Sequence, residues 1–248
     1  YDIEKYPFRD AIISILQDEC QYENLEKLPT TDLSKLHEFK DHKCSSFFVD
    51  KSGHEMSFFQ TKWNHNRDKI GEAYKREKQE KMSENYKYFE SIYHSFIQEV
   101  IGPSLGGGEI CYQRAATFRV YLPTEIPMGK LHKDEEYHHQ PSEINIWIPI
   151  SDHVSGNNTL WVESQPGLGD FTPLELRYGQ FYRGYLNQCR HYTNANDTMY
   201  TRVSIDFRVV NDKTGGHNPN FHKGINRGAK ALFQKKFDIG GFYDVLQS

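Results

Sequence analysis

The chain has 248 residues, 37% of them hydrophobic and 14% aromatic, enough apolar matter for one sizeable core, while 26% charged residues imply a strongly solvated surface. A formal net charge of -4 and a pI near 6.3 exclude the basic excess that nucleic-acid phosphates demand. No apolar run approaches the roughly 20 residues of a membrane span, and the first residues lack the basic-then-apolar order of a signal peptide.

The four cysteines, Cys20, Cys44, Cys111 and Cys189, are scattered without a C-x-x-C pair. That pattern points to reduced thiols and a cytoplasmic or other reducing intracellular compartment. The expected partner is a small molecule, with neither nucleic acid nor membrane.

In chain order, "FRDAIISILQDECQ" places Ile12, Ile13, Ile15 and Leu16 on an apolar stripe and predicts a first helix. A second, short helix is expected after Thr31. The stretch from about Thr61 to Val100 is rich in Lys, Glu and Gln and predicts a long helix. Its second half carries Phe89, Ile92, Tyr93, Phe96 and Val100 on one stripe, with Gly102-Pro103 as the stop. The glycines of "SLGGG" read as a linker.

Beyond them the texture changes to short alternating runs: "EICYQRAATFRVYLP", "EINIWIPI", "NTLWVES", "QFYRGYL" and "TRVSIDFRVV", separated by Gly, Pro, Asn and Asp. Short strands without intervening helical patterns exclude a parallel βαβ sheet and favour a sandwich or barrel. Trp161 reads as core. The expected organisation is one domain over 1–248: a helical buttress over 1–104, a β core over 105–212, and a tail or lid over 213–248 in which "FDIGGFYDVLQS" could cover a site or contact a second copy.

The chemistry concentrates in "GKLHKDEEYHHQPSEINIWIPI", residues Gly129 to Ile150. His132 and Asp134 stand two apart, so in extended backbone both point to one face. One further ligand completes a facial triad of two histidines and one carboxylate, a donor set that suits non-haem Fe(II) because it leaves positions open for a bidentate cosubstrate and dioxygen. His191 is the best candidate, since it precedes the strongly patterned run "TRVSIDFRVV".

In that run Val203, Ile205, Phe207 and Val209 share an apolar face, and Arg202, Ser204, Asp206 and Arg208 share the polar one. Arg202 could grip a dicarboxylate by its distal end through a bidentate pair of charge-assisted hydrogen bonds. Thr193 lies on the same side as His191. By the same alternation Arg119 and Tyr121 share the polar face of an early strand, and Asn145 and Trp147 share one face of "INIWIPI". Tyr121 and Asn145 are candidate cosubstrate contacts, and Arg119, Trp147 and His138 candidate substrate contacts; ordinary cross-strand packing is the plain alternative for each.

The ordered set of His132 and Asp134, the distal His191, Thr193 two residues later and Arg202 eleven residues later resembles the Fe(II)/2-oxoglutarate dioxygenases, in their phytanoyl-CoA-dioxygenase-like branch. The resemblance covers roughly Cys111 to Val210. It implies a mainly β fold, a double-stranded β-helix or jelly roll buttressed by helices. It also implies Fe(II), 2-oxoglutarate and O2 as metal, cosubstrate and oxidant, with Arg202 and Thr193 on the 2-oxoglutarate C5 carboxylate and Ser204 as a helper. The wider segment is similar to small-molecule tailoring members, including kainoid-type oxygenases, whose outcomes are hydroxylation or oxidative ring closure. Asp134 argues against halogenation, because halogenases of this class lack that carboxylate.

Three other readings compete. His138, His139 and Glu143 could form a metal set of their own, although Pro141 interrupts regular alternation between them. A cupin-type metalloenzyme would favour H-x-H and gives Arg202 no task. A non-catalytic jelly-roll module binding a sugar or other small molecule would leave the triad without chemistry. Arginines and lysines on the motif-bearing runs favour an acidic or amino-acid-like substrate.

Overall fold

The computed structural model describes residues 1–20, 33–38, 84–125, 127, 129–137, 139, 141–211 and 243–247. Helix α1, Phe8–Cys20, starts where the Pro7 carbonyl accepts the Ala11 N–H, and Asp10 lies in its first turn, where a negative charge suits the helix dipole. Phe8, Ala11, Ile12 and Ile15, spaced as one face of a helix, are all buried.

Helix α2, Glu84–Phe96, buries Phe89, Ile92, Tyr93 and Phe96 at the same spacing. The part of the expected long helix before residue 84 lies outside the described residues. Gly102-Pro103 does not stop the helix. The chain widens into a π turn, Ile97–Ile101, and adds a last short turn, α3, Gly102–Ser104, where Pro103 occupies a first-turn position that needs no N–H.

The stop comes at Gly106, Gly107 and Gly108, with φ of 95°, 69° and 101°, values that only glycine adopts readily. Gly107 N–H closes onto the Gly102 carbonyl at 2.9 Å. The expected linker is therefore a tight cap that turns the chain directly into the first strand.

Among the described residues nine strands follow: β1 Glu109–Gln113, β2 Thr117–Tyr121, β3 Ile144–Pro149, β4 Leu160–Val162, β5 Thr172–Pro173, β6 Tyr182–Gly184, β7 His191–Thr193, β8 Arg202–Asn211 and β9 Tyr243–Gln247. The larger sheet runs β6-β3-β8-β1-β9, with β2 also paired to β8, and the smaller one runs β5-β4-β7. His132 joins the smaller sheet through an isolated antiparallel bridge to His191. The chain thus crosses repeatedly between two antiparallel sheets, β2 to the His132 bridge to β3 to β4, then β6 to β7 to β8. This is the double-stranded β-helix, or jelly roll, with β1 and β9 extending one edge.

The described part of the tail is a sheet strand. β9 pairs with β1 from Glu109↔Gln247 to Gln113↔Tyr243. Tyr243 is fully buried, and its hydroxyl donates to the buried Glu143 carboxylate.

The core lies between helices and larger sheet. Val203, Ile205, Phe207 and Val209 of β8, all at 0% exposure, pack with Phe118, Val120, Ile144, Ile146 and Ile148 against α1 and α2. Tyr93 meets Phe207 edge-on at 4.9 Å and donates its hydroxyl to the Gln113 carbonyl. The opposite face of β8 is thereby turned toward the smaller sheet. Trp161 is not core: it is half-buried and stacked on Tyr192, while its neighbour Val162 is the buried residue of β4. No helix among the described residues is long and apolar enough to cross a membrane.

Candidate metal centre

The space between the two sheets is a cavity of about 400 Å³. His191 on β7 and His132 across from it exchange backbone hydrogen bonds, 3.1 Å from His132 N–H to the His191 carbonyl and 2.8 Å in return. Their rings stand 4.3 Å apart. Asp134 does not follow in extended backbone as the alternation predicts. It opens a 3-10 turn, Asp134–Tyr137, pinned by its own N–H on the Leu186 carbonyl at 2.9 Å. The turn still delivers the carboxylate to the two rings.

Ligand atoms of His132, Asp134 and His191 lie within 4.8 Å of one another, and this is the one such group of three among the described residues. Asp134 Oδ1 is 3.6 Å from His191 Nε2 and 3.9 Å from His132 Nε2. Every other polar atom of the three is engaged elsewhere. His132 Nδ1 donates to the Lys130 carbonyl at 2.5 Å and His191 Nδ1 to the Cys189 carbonyl at 3.2 Å, which fixes the tautomers and leaves both Nε2 lone pairs facing the cavity. Asp134 Oδ2 accepts from Asn145 Nδ2 at 2.8 Å and from Arg208 Nη2 and Nε at 2.9 and 3.2 Å.

The electrostatics suit a cation. Burial would raise the Asp134 pKa, but Arg208, His139, His191 and the Asn145 hydrogen bond outweigh it and hold the carboxyl well below its usual range. Burial lowers His191 to about 4 despite the pull of Asp134, so its imidazole is neutral at physiological pH, as a ligand must be. Two imidazole nitrogens and one carboxylate oxygen, all facing a cavity with room beside them, fit a divalent transition metal of the Fe(II) type.

Arg202 of β8 is 2% exposed and lines the cavity, its guanidinium 4.8 Å from the Tyr121 ring and 5.9 Å from that of Trp147. Ser204 next along that face is fully buried, and its hydroxyl has no hydrogen-bond partner among the described residues. Thr193 lines the cavity and accepts the Gly129 N–H on Oγ1 at 2.6 Å, which leaves its own proton to donate. A guanidinium beside an unsatisfied buried hydroxyl fits a carboxylate such as that of 2-oxoglutarate.

Other expected contacts fall differently. Asn145 lines the cavity and is engaged at both ends of its amide, Nδ2 donating to Asp134 and Oδ1 accepting from Leu186 N–H at 3.1 Å. The first of these bonds orients the Asp134 carboxylate. Tyr121 turns its hydroxyl to the Asn194 carbonyl and offers Arg202 its ring, so it too supports at one remove. Arg119 and Trp147 both line the cavity, Arg119 with Nε 2.6 Å from Asp206 Oδ1. His138 lies outside the described residues. His139 and Glu143 pair with each other, Nδ1 to Oε2 at 2.9 Å, and neither belongs to the triad's donor set.

Alternation alone gives Arg208 and Asp206 a face but no role. Both line the cavity, and Arg208 Nη1 sits 3.1 Å from Asp206 Oδ2. The signal was present in the alternation that singled out Arg202, because all three share one face of β8.

No family profile matches the chain. It is similar to the streptomycin biosynthesis protein StrG of Streptomyces griseus, 29% identical over 163 residues that make up 66% of this chain and 73% of that one. Among solved structures it is similar to the non-heme monooxygenase ThoJ in its nickel complex, at 15% identity and a TM-score of 0.41, over 51% of this chain and 54% of that one. It thus spans about half the length of the monooxygenase structures it matches. The non-heme alpha ketoglutarate dependent epimerase SnoN from nogalamycin biosynthesis matches at 13% identity and 0.43 over 65% of this chain and 75% of that one. A prolyl-4-hydroxylase from Pseudomonas putida matches at 14% and 0.33 over 52% and 66%.

Proposed function

We propose that the chain is an Fe(II)- and 2-oxoglutarate-dependent oxygenase that hydroxylates or oxidatively cyclises a small acidic or amino-acid-like molecule in natural-product tailoring. The observation that carries this reading is the convergence of His132 Nε2, Asp134 Oδ1 and His191 Nε2 on one cavity that also holds the buried guanidinium of Arg202. His132, Asp134 and His191 would hold the iron, and Arg202, Thr193 and Ser204 the distal carboxylate of 2-oxoglutarate. Bound there, these groups supply oxidative decarboxylation coupled to oxidation of an unactivated C–H bond.

The protein's own contribution is aim and dryness. Arg208 and Asn145 hold Asp134 Oδ2 and present Oδ1 alone, and the two backbone carbonyls keep both imidazoles turned inward. Tyr121 and Trp147 flank Arg202 and limit its swing, so its fork is set before the dicarboxylate arrives. Burial of Asp134 and His191 keeps bulk water from the reacting side.

The charge of the cavity supports the substrate class. Arg119, Lys130, Arg202 and Arg208 line the cavity against Asp134 and Asp206. Iron and a dicarboxylate would cancel each other, so the loaded cavity stays positive and favours an anion, with Arg119 and Lys130 the more exposed cations. Similarity to a protein named for streptomycin biosynthesis supports a tailoring role.

The test is an anaerobic titration of the apoprotein with Fe(II) and then 2-oxoglutarate, following the weak visible charge-transfer band of the chelate. The expected band vanishes in Asp134→Ala and weakens in Arg202→Ala. Fe(II) uptake without a band would reject the 2-oxoglutarate reading in favour of a binding module or a cupin-type centre. For the substrate, an Arg119→Ala enzyme with unchanged KM would remove that contact.

A further inference from the structure

An unbroken chain of ion pairs runs from the more exposed side of the cavity to the back of the triad. Arg119 on β2, whose side chain is 37% exposed, places Nε 2.6 Å from Asp206 Oδ1. Asp206 on β8 uses its other oxygen for Arg208, Oδ2 to Nη1 at 3.1 Å. Arg208 carries the chain on, Nη2 to Asp134 Oδ2 at 2.9 Å. Asp206 is thus one carboxylate divided between two guanidiniums, one facing the substrate space and the other gripping a metal ligand.

We infer that Asp206 is a positioning residue that couples the occupant of the Arg119 seat to the donor strength of Asp134. The inference rests on the proposed reading of the triad as a metal centre. The two guanidiniums compete for Asp206. While Arg119 holds Oδ1, Asp206 is a weaker partner for Arg208, and Arg208 draws harder on Asp134. An anion that takes Arg119 for itself returns Asp206 to Arg208, Arg208 loosens on Asp134, and more carboxylate charge is left for the metal.

The arrangement is built for this. β2 and β3 flank β8, with Thr117 and Trp147 opposite Asp206 in the register, and Asp206 is buried between its two guanidinium partners. Gln113 also touches Arg208, Oε1 to Nη1 at 3.3 Å, and keeps the guanidinium from swinging away. The consequence is that an anionic substrate would tune the metal ligand without touching it, readying the centre only when the substrate is seated.

The test uses the full chain and Co(II) alone, whose d–d absorption reports ligand geometry without any turnover. Arg119→Gln should shift the band and change the Co(II) Kd by about two- to fivefold, the effect of one partly exposed ion pair. Arg119→Lys, which keeps a cation against Asp206, should stay near the wild-type band. Lys130→Gln removes a cavity cation outside the chain of pairs and should leave the band in place even where it alters affinity by simple charge. In an Asp206→Asn background the Arg119→Gln shift should disappear.

An identical shift in both backgrounds, or equal shifts from Arg119→Gln and Lys130→Gln, overturns the coupling and reduces the effect to through-space charge. Should Asp206→Asn not fold, the comparison of the two Arg119 variants with Lys130→Gln decides alone, since these side chains are the exposed ones. A wild-type chain that takes up no Co(II) overturns the metal centre and the coupling together. Wild-type uptake with no Arg119 response overturns the coupling only.

Discussion

Gly129→Ala probes how the first metal ligand is carried into place. A Cβ at Gly129 would sit 2.8 Å from Thr193 Oγ1, 3.2 Å from Thr193 N and 3.6 Å from Thr193 Cβ. Thr193 cannot simply rotate aside, because its Oγ1 accepts the Gly129 N–H at 2.6 Å and its own N–H bonds the Gly129 carbonyl at 3.1 Å. Relief therefore requires the segment to lift off β7, weakening two hydrogen bonds of about 0.5–1.5 kcal/mol each and adding a crowding cost of about 1–3 kcal/mol.

The expected destabilisation is on the order of 2–4 kcal/mol, read from urea denaturation. The same ladder carries the His132–His191 bridge, so metal affinity should fall as well. Thr193→Ala in the same chain removes the closest atom and should recover part of both losses. A Gly129→Ala variant with the wild-type midpoint and unchanged metal affinity would refute this account of how His132 is registered.

Three further outcomes are expected. Arg202→Lys keeps the charge but loses the planar fork between Tyr121 and Trp147, and should raise the Kd for 2-oxoglutarate roughly 10-fold or more with little change in melting temperature; equal affinity would remove Arg202 from the cosubstrate site. Glu163 is held down to about 2, first by the Arg190 side chain and, against the cost of burial, by the N–H groups of Arg190, Gly167 and Gly169. A depressed carboxylate stabilises the fold above its unfolded value near 4.5 and loses that contribution as pH falls toward 2, so the stability gap between wild type and Glu163→Gln should be full at pH 6 and close over that window; a pH-independent gap would contradict it. Tyr243→Phe leaves Glu143 short of a buried donor and should cost about 1–3 kcal/mol, with faster amide exchange along β1 and β9; an unchanged exchange rate would show that this contact does not anchor the strand.

What could be read from the sequence divides along a physical line. β8 was legible because ten residues alternate between an apolar face on the helices and a charged face on the cavity. The faces of α1 and α2 were legible from spacing for the same reason. β5 and β7, of two and three residues, were not, since so short a run carries no period and exists only through pairing with distant partners. The stop at Gly102-Pro103 was misplaced because proline at the start of a turn is as acceptable as proline after one. Trp161 was misread because size suggests burial, whereas the β4 register turns Val162 inward.

The same line runs through the site. Residue type and order single out His132, Asp134, His191 and Arg202, because few side chains can supply those donors. Alternation then says which face a residue takes but not what it meets there. Asn145 and Tyr121 stand on the expected faces, and the fold shows in addition that each bonds a neighbour, Asn145 the Asp134 carboxylate and the Leu186 N–H, Tyr121 the Asn194 carbonyl. Arg208 and Asp206 looked like ordinary polar positions, yet they decide how Asp134 is held. Their partners come from the 3-10 turn at Asp134 and from β2, segments distant in sequence that meet only when the two sheets close. A buried carboxylate that must offer one oxygen outward needs its other oxygen satisfied from behind, and a guanidinium placed there needs a second carboxylate to balance it. The Arg208 and Asp206 pair follows from that requirement once Asp134 is taken as a ligand, so the chemistry of one legible residue predicts the kind of support it needs while only the fold shows which side chains provide it.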